Sequence, residues 1–311
     1  MRVCRNIEKL DGFEGGSVVT IGVYDGLHAG HRKILEELHR QGEARGVPSV
    51  ALTFDPHPDS VVRPGSGPLL LCSLEARLNL LAAAGVDTTV ILHFDKELAS
   101  EGPDEFARLV LADSLHTAVV VVGADFRFGH KRAGDVDRLS ELGVEDGFDV
   151  VGVELEPDDS GETISSTRIR QMLATGDVTR AAALLGRYYE VSGVVEKGHG
   201  RGGSLLGFPT ANLAVAGEIA LPSDGVYACW YTTGSGSAHA AAVALGAPPM
   251  FAGGEARTVE AYLIDFRGDL YGDVGTLRFV RRLRDQRAFG STGELVEQMD
   301  SDVATVRGLL S

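Results

Sequence analysis

Cysteine is scarce in these 311 residues: Cys4, Cys72 and Cys229 stand far apart, with no C-x-x-C pair. That excludes a disulfide framework and a zinc knuckle and fits a reducing, cytoplasmic setting. Positive charge is short as well, with 29 Lys and Arg against 44 Asp and Glu and a net charge of −15. Such a chain is a poor partner for nucleic acid or an anionic membrane, and neither is expected. No apolar run reaches the roughly 18 residues that cross a bilayer. The opening stretch, MRVCRNIEKLDGF, lacks the apolar h-region of a secretory signal. No G-x-x-x-x-G-K-[ST] occurs, so a P-loop is not available to hold a nucleotide.

What is present is enough chain for two domains and, at 44% hydrophobic residues, enough apolar side chains for two cores. Up to about residue 186 the chain alternates strand and helix signals. SVVTIGV (17–23), PSVALTF (48–54), TTVILHF (88–94), TAVVVVG (117–123) and FDVVGVEL (148–155) are apolar runs without polar alternation. Between them lie helical patterns at 31–46, 73–85 (Ser73 as N-cap) and 103–115, with 178–186 after the last. This is the pattern of an α/β domain, a parallel sheet covered on both faces, with ligands bound beyond the carboxyl ends of its strands. From 187 onward short β signals between glycine-rich turns predict a small antiparallel β-barrel, with a hairpin tip at TTGSGSA (232–238). A terminal helix follows over about 291–309, with Leu295, Met299, Val303 and Val306 on one face. The expected domains are therefore 1–186 and 187–311.

The stretch GVYDGLHAGH (22–31) follows an apolar strand directly. Its two imidazoles, His28 and His31, stand at a helix start, where both can face a phosphate chain alongside the free N–H groups of the first turn. Gly26 and Gly30 let backbone approach a ligand closely.

The string resembles the HiGH signature of nucleotidyltransferases. More narrowly, TIGVYDGLHAGH resembles the opening of the prokaryotic bifunctional riboflavin kinase / FAD synthetase family. TFDPHP (53–58), GADFRFG (123–129), ISSTRIR (164–170), LGFPTAN (206–212), DGVYA (224–228), VEAYLIDF (259–266), LYG (270–272) and LRDQRAF (283–289) follow in the family's order. The resemblance covers nearly the whole chain. It implies a Rossmann-like nucleotidyltransferase domain that adenylylates FMN with ATP, releasing pyrophosphate. It also implies a riboflavin kinase barrel that phosphorylates riboflavin with ATP and Mg²⁺. In the first module it assigns Gly22, Tyr24, Asp25, His28, His31, Asp125, Ser165, Ser166, Thr167, Arg168 and Arg170 to ATP and its phosphates. Phe54 and Phe128 are candidates to stack on the flavin, although a lone Phe is more often core. In the second it implies a phosphate flap at Gly198, Gly200, Gly202 and Gly203, metal ligands at Thr210 and Asn212, Glu260 as general base, and Arg284 near the flavin. Riboflavin, FMN and ATP are then the partners, and nothing in the sequence sets an oligomeric state.

The sequence also departs from the family. Positions 246–251 read GAPPMF where relatives usually carry G-T-N-P-T-F, so Ala247, Pro248 and Met250 replace hydrogen-bonding side chains near the expected kinase site. Tyr24, Thr163, Ser204 and Arg287 are further differences. The alternatives are an adenylyltransferase whose kinase module is weakened or altered in substrate, a nucleotidyltransferase for another phosphorylated acceptor, and a non-catalytic flavin-binding regulator.

Overall fold

The computed structural model describes residues 1–5, 12–155, 157–158, 161–197, 210–246 and 257–311. The chain divides into two compact units, Met1–Ser166 and Thr167–Ser311.

The first unit is built on a six-stranded sheet: β1 (Arg2–Cys4), β2 (Ser17–Ile21), β3 (Ser49–Asp55), β4 (Thr88–His93), β5 (Thr117–Gly123) and β6 (Asp149–Val153), in the order β1-β4-β3-β2-β5-β6. Every pairing is parallel. The apolar strand runs are long because both faces are covered. Val19, Ile21, Val50, Leu52, Val120 and Val122 point to one core. Val18, Ala51, Val119 and Val121 point to the other. Helices α1 (Ala29–Arg45), α2 (Pro58–Val62), α3 (Leu74–Ala83), α4 (Lys96–Ser100), α5 (Pro103–Phe106) and α6 (Val136–Asp146) connect the strands. Leu35 and Leu38 of α1 and Leu81 of α3 fill one core, and Phe106, Leu139 and Leu142 of α5 and α6 fill the other. Each such fully buried side chain contributes about 1.5–3 kcal/mol.

The expected helix signals act as read. Ser73 Oγ accepts from Ala76 N–H at 3.1 Å, and Gly46 ends α1 with φ +67°. The pattern over 103–115 differs in detail: after α5 the chain continues as a π-helical stretch, Ala107–Ser114, which apolar periodicity alone does not reveal. Strand β1 was not expected; its three residues take their order from pairing with β4. The strand order reverses between β2 and β5, since the chain runs from β2 through β3 to β4 on one side and from β5 to β6 on the other. The crevice of such a sheet opens at that reversal, at the carboxyl ends of β2 and β5.

Helix α7 (Ser166–Thr175) opens at the last residue of the first unit and continues into the second, followed by α8 (Val178–Leu185). The division between the units thus falls in the first turn of α7, while the boundary expected from the sequence follows α8. Asp177 caps α8 through Arg180 N–H, and Gly186 closes it with φ +63°. Strands β7 (Tyr189–Glu196), β8 (Ala211–Val215), β9 (Gly225–Thr232), β10 (Ala238–Gly246), β11 (Thr258–Leu263) and β12 (Val274–Arg284) close an antiparallel barrel in the order β10-β11-β8-β7-β12-β9. Its interior holds Val191, Leu213, Tyr231, Val243, Ala261, Leu277 and Phe279. The C-terminal helix, Thr292–Leu309, lays Val303, Val306 and Leu309 against Ala228, Ala240, Tyr262 and Ile264.

Candidate active sites

In the first unit the loop after β2 reaches the helix start of α1 through a backbone that few residues tolerate. Tyr24 has φ +53°, Gly26 +80° and Leu27 +40°. Non-glycine residues hold such angles only where the surroundings over-determine them, and here four anchors do so. The Tyr24 hydroxyl bonds Thr20 Oγ1 at 2.6 Å, and burial holds its phenol pKa well above the ordinary value despite that bond. Thr53 Oγ1 donates to the Val23 carbonyl at 3.2 Å. The Asp25 carboxylate accepts from Leu71 N–H at 2.8 Å and Cys72 N–H at 3.2 Å. Ser166 Oγ donates to the Asp25 carbonyl at 2.8 Å.

The imidazoles of His28 and His31 stack with centroids 3.7 Å apart and planes 17° from parallel. His28 is 4% exposed and forms the N-cap of α1, without a side-chain capping bond. Glycines make room around them. A methyl group on Gly22 would stand 3.0 Å from the Tyr24 ring, and one on Gly30 would stand 3.3 Å from the His28 ring. Gly30 and Gly123 both abut Leu155, so the end of β5, which carries exposed Asp125, lies beside the start of α1. Burial first, then His28, Arg32 and Arg77, push the His31 pKa well below the ordinary histidine value. His31 is therefore neutral at pH 7, and its Nδ1 is buried with no hydrogen-bond partner among the described residues. Because folding lowers this pKa, the unfolded chain takes up the proton first as pH falls. The contribution is complete above about pH 6.5 and is lost as pH drops from there toward the folded value. Urea unfolding is expected to show lower stability at pH 5.5 than at 7.5, with a smaller difference in His31→Gln. An equal difference in both proteins would contradict this.

Asp25, read from sequence as a phosphate-site residue, is 2% exposed, and its carboxylate accepts from two backbone amides that brace the loop. Phe128, a candidate to stack on the flavin, is 7% exposed and packs in the core beside Phe126, with ring centroids 5.5 Å apart. Phe54 is half-buried and edge-on to Phe94. Ser165 precedes α7, and Ser166, Thr167, Arg168 and Arg170 occupy its first turns, with Ile169 turned into the core.

In the barrel, Glu260 stands directly opposite Asn212 across the β11–β8 pair. Their neighbours Ala261 and Ala211 point inside, so Asn212 and Glu260 share the outer face. Directly opposed side chains have Cβ atoms about 4.5–5.5 Å apart. Thr210, two residues before Asn212, lies at the entry to β8. Thr258 Oγ1 lies 3.5 Å from Glu260 Oε1 and donates to the Gly246 carbonyl at 2.9 Å. Gly198, Gly200, Gly202, Gly203, Ala247, Pro248 and Met250 lie outside the described residues.

Arg284, expected near the flavin, is paired with the C-terminal helix. Its Nε and NH2 groups donate to the Asp302 carboxylate at 3.0 and 2.7 Å, and Gln298 donates to the same carboxylate at 2.9 Å. Asp302 is 7% exposed and the Arg284 side chain is 22% exposed, so removing the carboxylate charge leaves a half-buried guanidinium without its ion-pair partner. Asp302→Asn is expected to cost about 2 kcal/mol in urea unfolding; no loss would show that the pair does not hold the helix.

The FAD synthetase family model matches residues 11–168, and the riboflavin kinase model matches residues 185–310. The bifunctional riboflavin kinase/FMN adenylyltransferase of Escherichia coli K12 is 35% identical over 309 residues, covering 99% of this chain and 97% of its own. That of Haemophilus influenzae is 30% identical over 311 residues, covering 100% of both. A crystal structure described as a macrolide-efflux protein from Streptococcus pneumoniae superposes with a TM-score of 0.88 at 29% identity, covering 98% of each chain. No helix among the described residues is long and apolar enough to cross a membrane. With both models matched in order and full-length relatives on either side of one-third identity, the chain belongs to the bifunctional riboflavin kinase/FMN adenylyltransferase family.

Proposed function

We propose that this chain makes FMN from riboflavin and ATP and then FAD from FMN and ATP, in the cytoplasm, with residues 1–186 carrying adenylyl transfer and 187–311 phosphorylation. The observation that carries this reading is that each unit holds its own constellation: the stacked histidine pair at the α1 start, and Glu260 opposite Asn212 in the barrel.

In adenylyl transfer a phosphate oxygen of FMN bonds to the α-phosphorus of ATP, and the bond from that phosphorus to the bridging oxygen breaks, releasing pyrophosphate. FMN arrives already ionised, so the protein's work is alignment and charge stabilisation. His28, His31 and the first-turn N–H groups of α1 supply donors to the phosphates. The Ser165, Ser166 and Thr167 hydroxyls and the Arg168 and Arg170 cations are the further contributors we assign. Asp125 and Phe54 are assigned to the nucleotide and the flavin.

In phosphorylation the ribityl 5′-hydroxyl gives its proton to the Glu260 carboxylate as its oxygen bonds to the γ-phosphorus, and ADP leaves. Thr210 and Asn212 carry oxygen donors on the Glu260 face, a set suited to a hard cation that keeps its other positions for phosphate and water. Bound there, Mg²⁺ would neutralise charge on the ATP phosphates. A chelator titration tests this assignment. Excess EDTA is expected to stop FMN formation, Mg²⁺ to restore it, and Thr210→Ala to raise the Mg²⁺ concentration required. FMN formation that continues unchanged in chelator would overturn it.

A further inference from the structure

Arg77 is 1% exposed, and it occupies the inward face of α3 together with Leu81. Its NH1 group donates to Thr53 Oγ1 at 3.2 Å and to the Phe54 carbonyl at 2.9 Å. Thr53 Oγ1 in turn donates to the Val23 carbonyl at 3.2 Å, in the loop that leads to His28 and His31. The Arg77 Nε is buried without a hydrogen-bond partner, and no carboxylate pairs with this guanidinium among the described residues. A charge taken out of water this completely is costly unless something opposite in sign compensates it, and an apolar residue of similar volume would fill the same space more cheaply. Two neutral acceptors do not balance a full charge.

We propose that Arg77 is a positioning residue for adenylyl transfer, setting the Val23 carbonyl through Thr53 and holding a fixed positive charge behind the loop that receives the phosphates of ATP. The inference rests on reading the first unit as the adenylyl-transfer site. Geometry places Arg77 one hydrogen-bond relay from the strained loop, and Arg77 is among the groups that lower the His31 pKa. The other groups around His31 are His28, which stacks on it, Tyr24, whose ring lies 5.1 Å away, and Arg32. A guanidinium fixed before the reaction needs no reorganisation as negative charge redistributes over the phosphates.

The test uses the full-length chain, with dispersed His31 ring signals as the control for a folded first unit and FMN formation from riboflavin as the control for the barrel. Arg77→Met is expected to lower kcat for FAD formation about 10- to 100-fold and to leave FMN formation unchanged. Arg77→Lys is expected to recover most of that loss. The His31 ring protons, followed by NMR in the ligand-free protein, should titrate at higher pH in Arg77→Met than in wild type and return toward wild type in Arg77→Lys. Met and Lys variants equally impaired, with the His31 titration unmoved, would reduce Arg77 to packing and overturn the proposal. So would an Arg77→Met enzyme as fast as wild type. If Arg77→Met does not fold, Thr53→Val keeps the charge and removes the relay. It should lower the FAD rate without moving the His31 titration; an unchanged rate or a moved titration counts against the proposal. Wild type that makes no FAD from FMN would sink the parent reading, whereas wild type matched by Arg77→Met sinks this inference alone.

Discussion

Glu260→Gln is expected to lower FMN formation from riboflavin by about 10²- to 10⁴-fold, the usual contribution of a general base, while FAD formation from supplied FMN continues at the wild-type rate. The substitution keeps the size and polarity of the side chain, and Glu260 is half-buried on the outer face of the barrel, so the fold has no reason to change. What changes is the acceptor for the ribityl proton. The Thr258 hydroxyl 3.5 Å from Oε1 cannot replace it, because a hydroxyl is a poor base and this one already donates to the Gly246 carbonyl. Asn212, directly across the β11–β8 pair, has an amide oxygen, which is a ligand but not a base at neutral pH. Rates of ADP release with riboflavin and pyrophosphate release with FMN, measured on the same preparation, check both halves. Loss of both rates in a folded variant would mean that the two reactions do not have separate sites.

The second large effect is the mirror of the first. His28→Ala should lower FAD formation from FMN by about 10²- to 10³-fold, in the range seen when one preorganised donor to a developing charge is removed. FMN formation from riboflavin should be spared. Two terms act together. The donor itself is lost, and His31 loses the ring stacked 3.7 Å from it, which helps fix its orientation. The loop should otherwise stand, because Tyr24, Asp25, Thr53 and Ser166 anchor it independently of the imidazoles. The measurement is pyrophosphate release at saturating ATP and FMN. A loss confined to KM would show that His28 only binds substrate and does not favour the transition state.

Much of this architecture is legible in the sequence because the signals are periodic and locally capped. The runs SVVTI, TTVILH and TAVVVVG are buried on both faces, and that kind of burial removes polar alternation. Ser73, Gly46 and Gly186 mark helix ends through backbone geometry their residue types favour. Site roles are harder to read, because a residue type names a capability and not a partner. Asp25 sits in the motif yet is committed to the amides of Leu71 and Cys72, about 46 residues away in sequence. Arg284 lies in LRDQRAF yet is committed to Asp302 on the final helix. Phe128 reads as a candidate stacking platform although a lone Phe is more often core, and in the fold it packs beside Phe126 with ring centroids 5.5 Å apart. Arg77 is inconspicuous in the sequence for the opposite reason. In EARLNLL a basic residue on an amphipathic helix looks like a solvated one, and the available signal was its i, i+4 spacing from Leu81 on the inward face.

The central claim is that two working sites share one chain. Its most direct test is to incubate the purified protein with ATP and Mg²⁺, with riboflavin in one mixture and FMN in another, and to separate the flavins by chromatography over time. FMN followed by FAD is expected from riboflavin, and FAD from FMN without delay. FAD from FMN together with no FMN from riboflavin would contradict it, and would make the GAPPMF stretch the mark of a barrel that has lost or changed its kinase role.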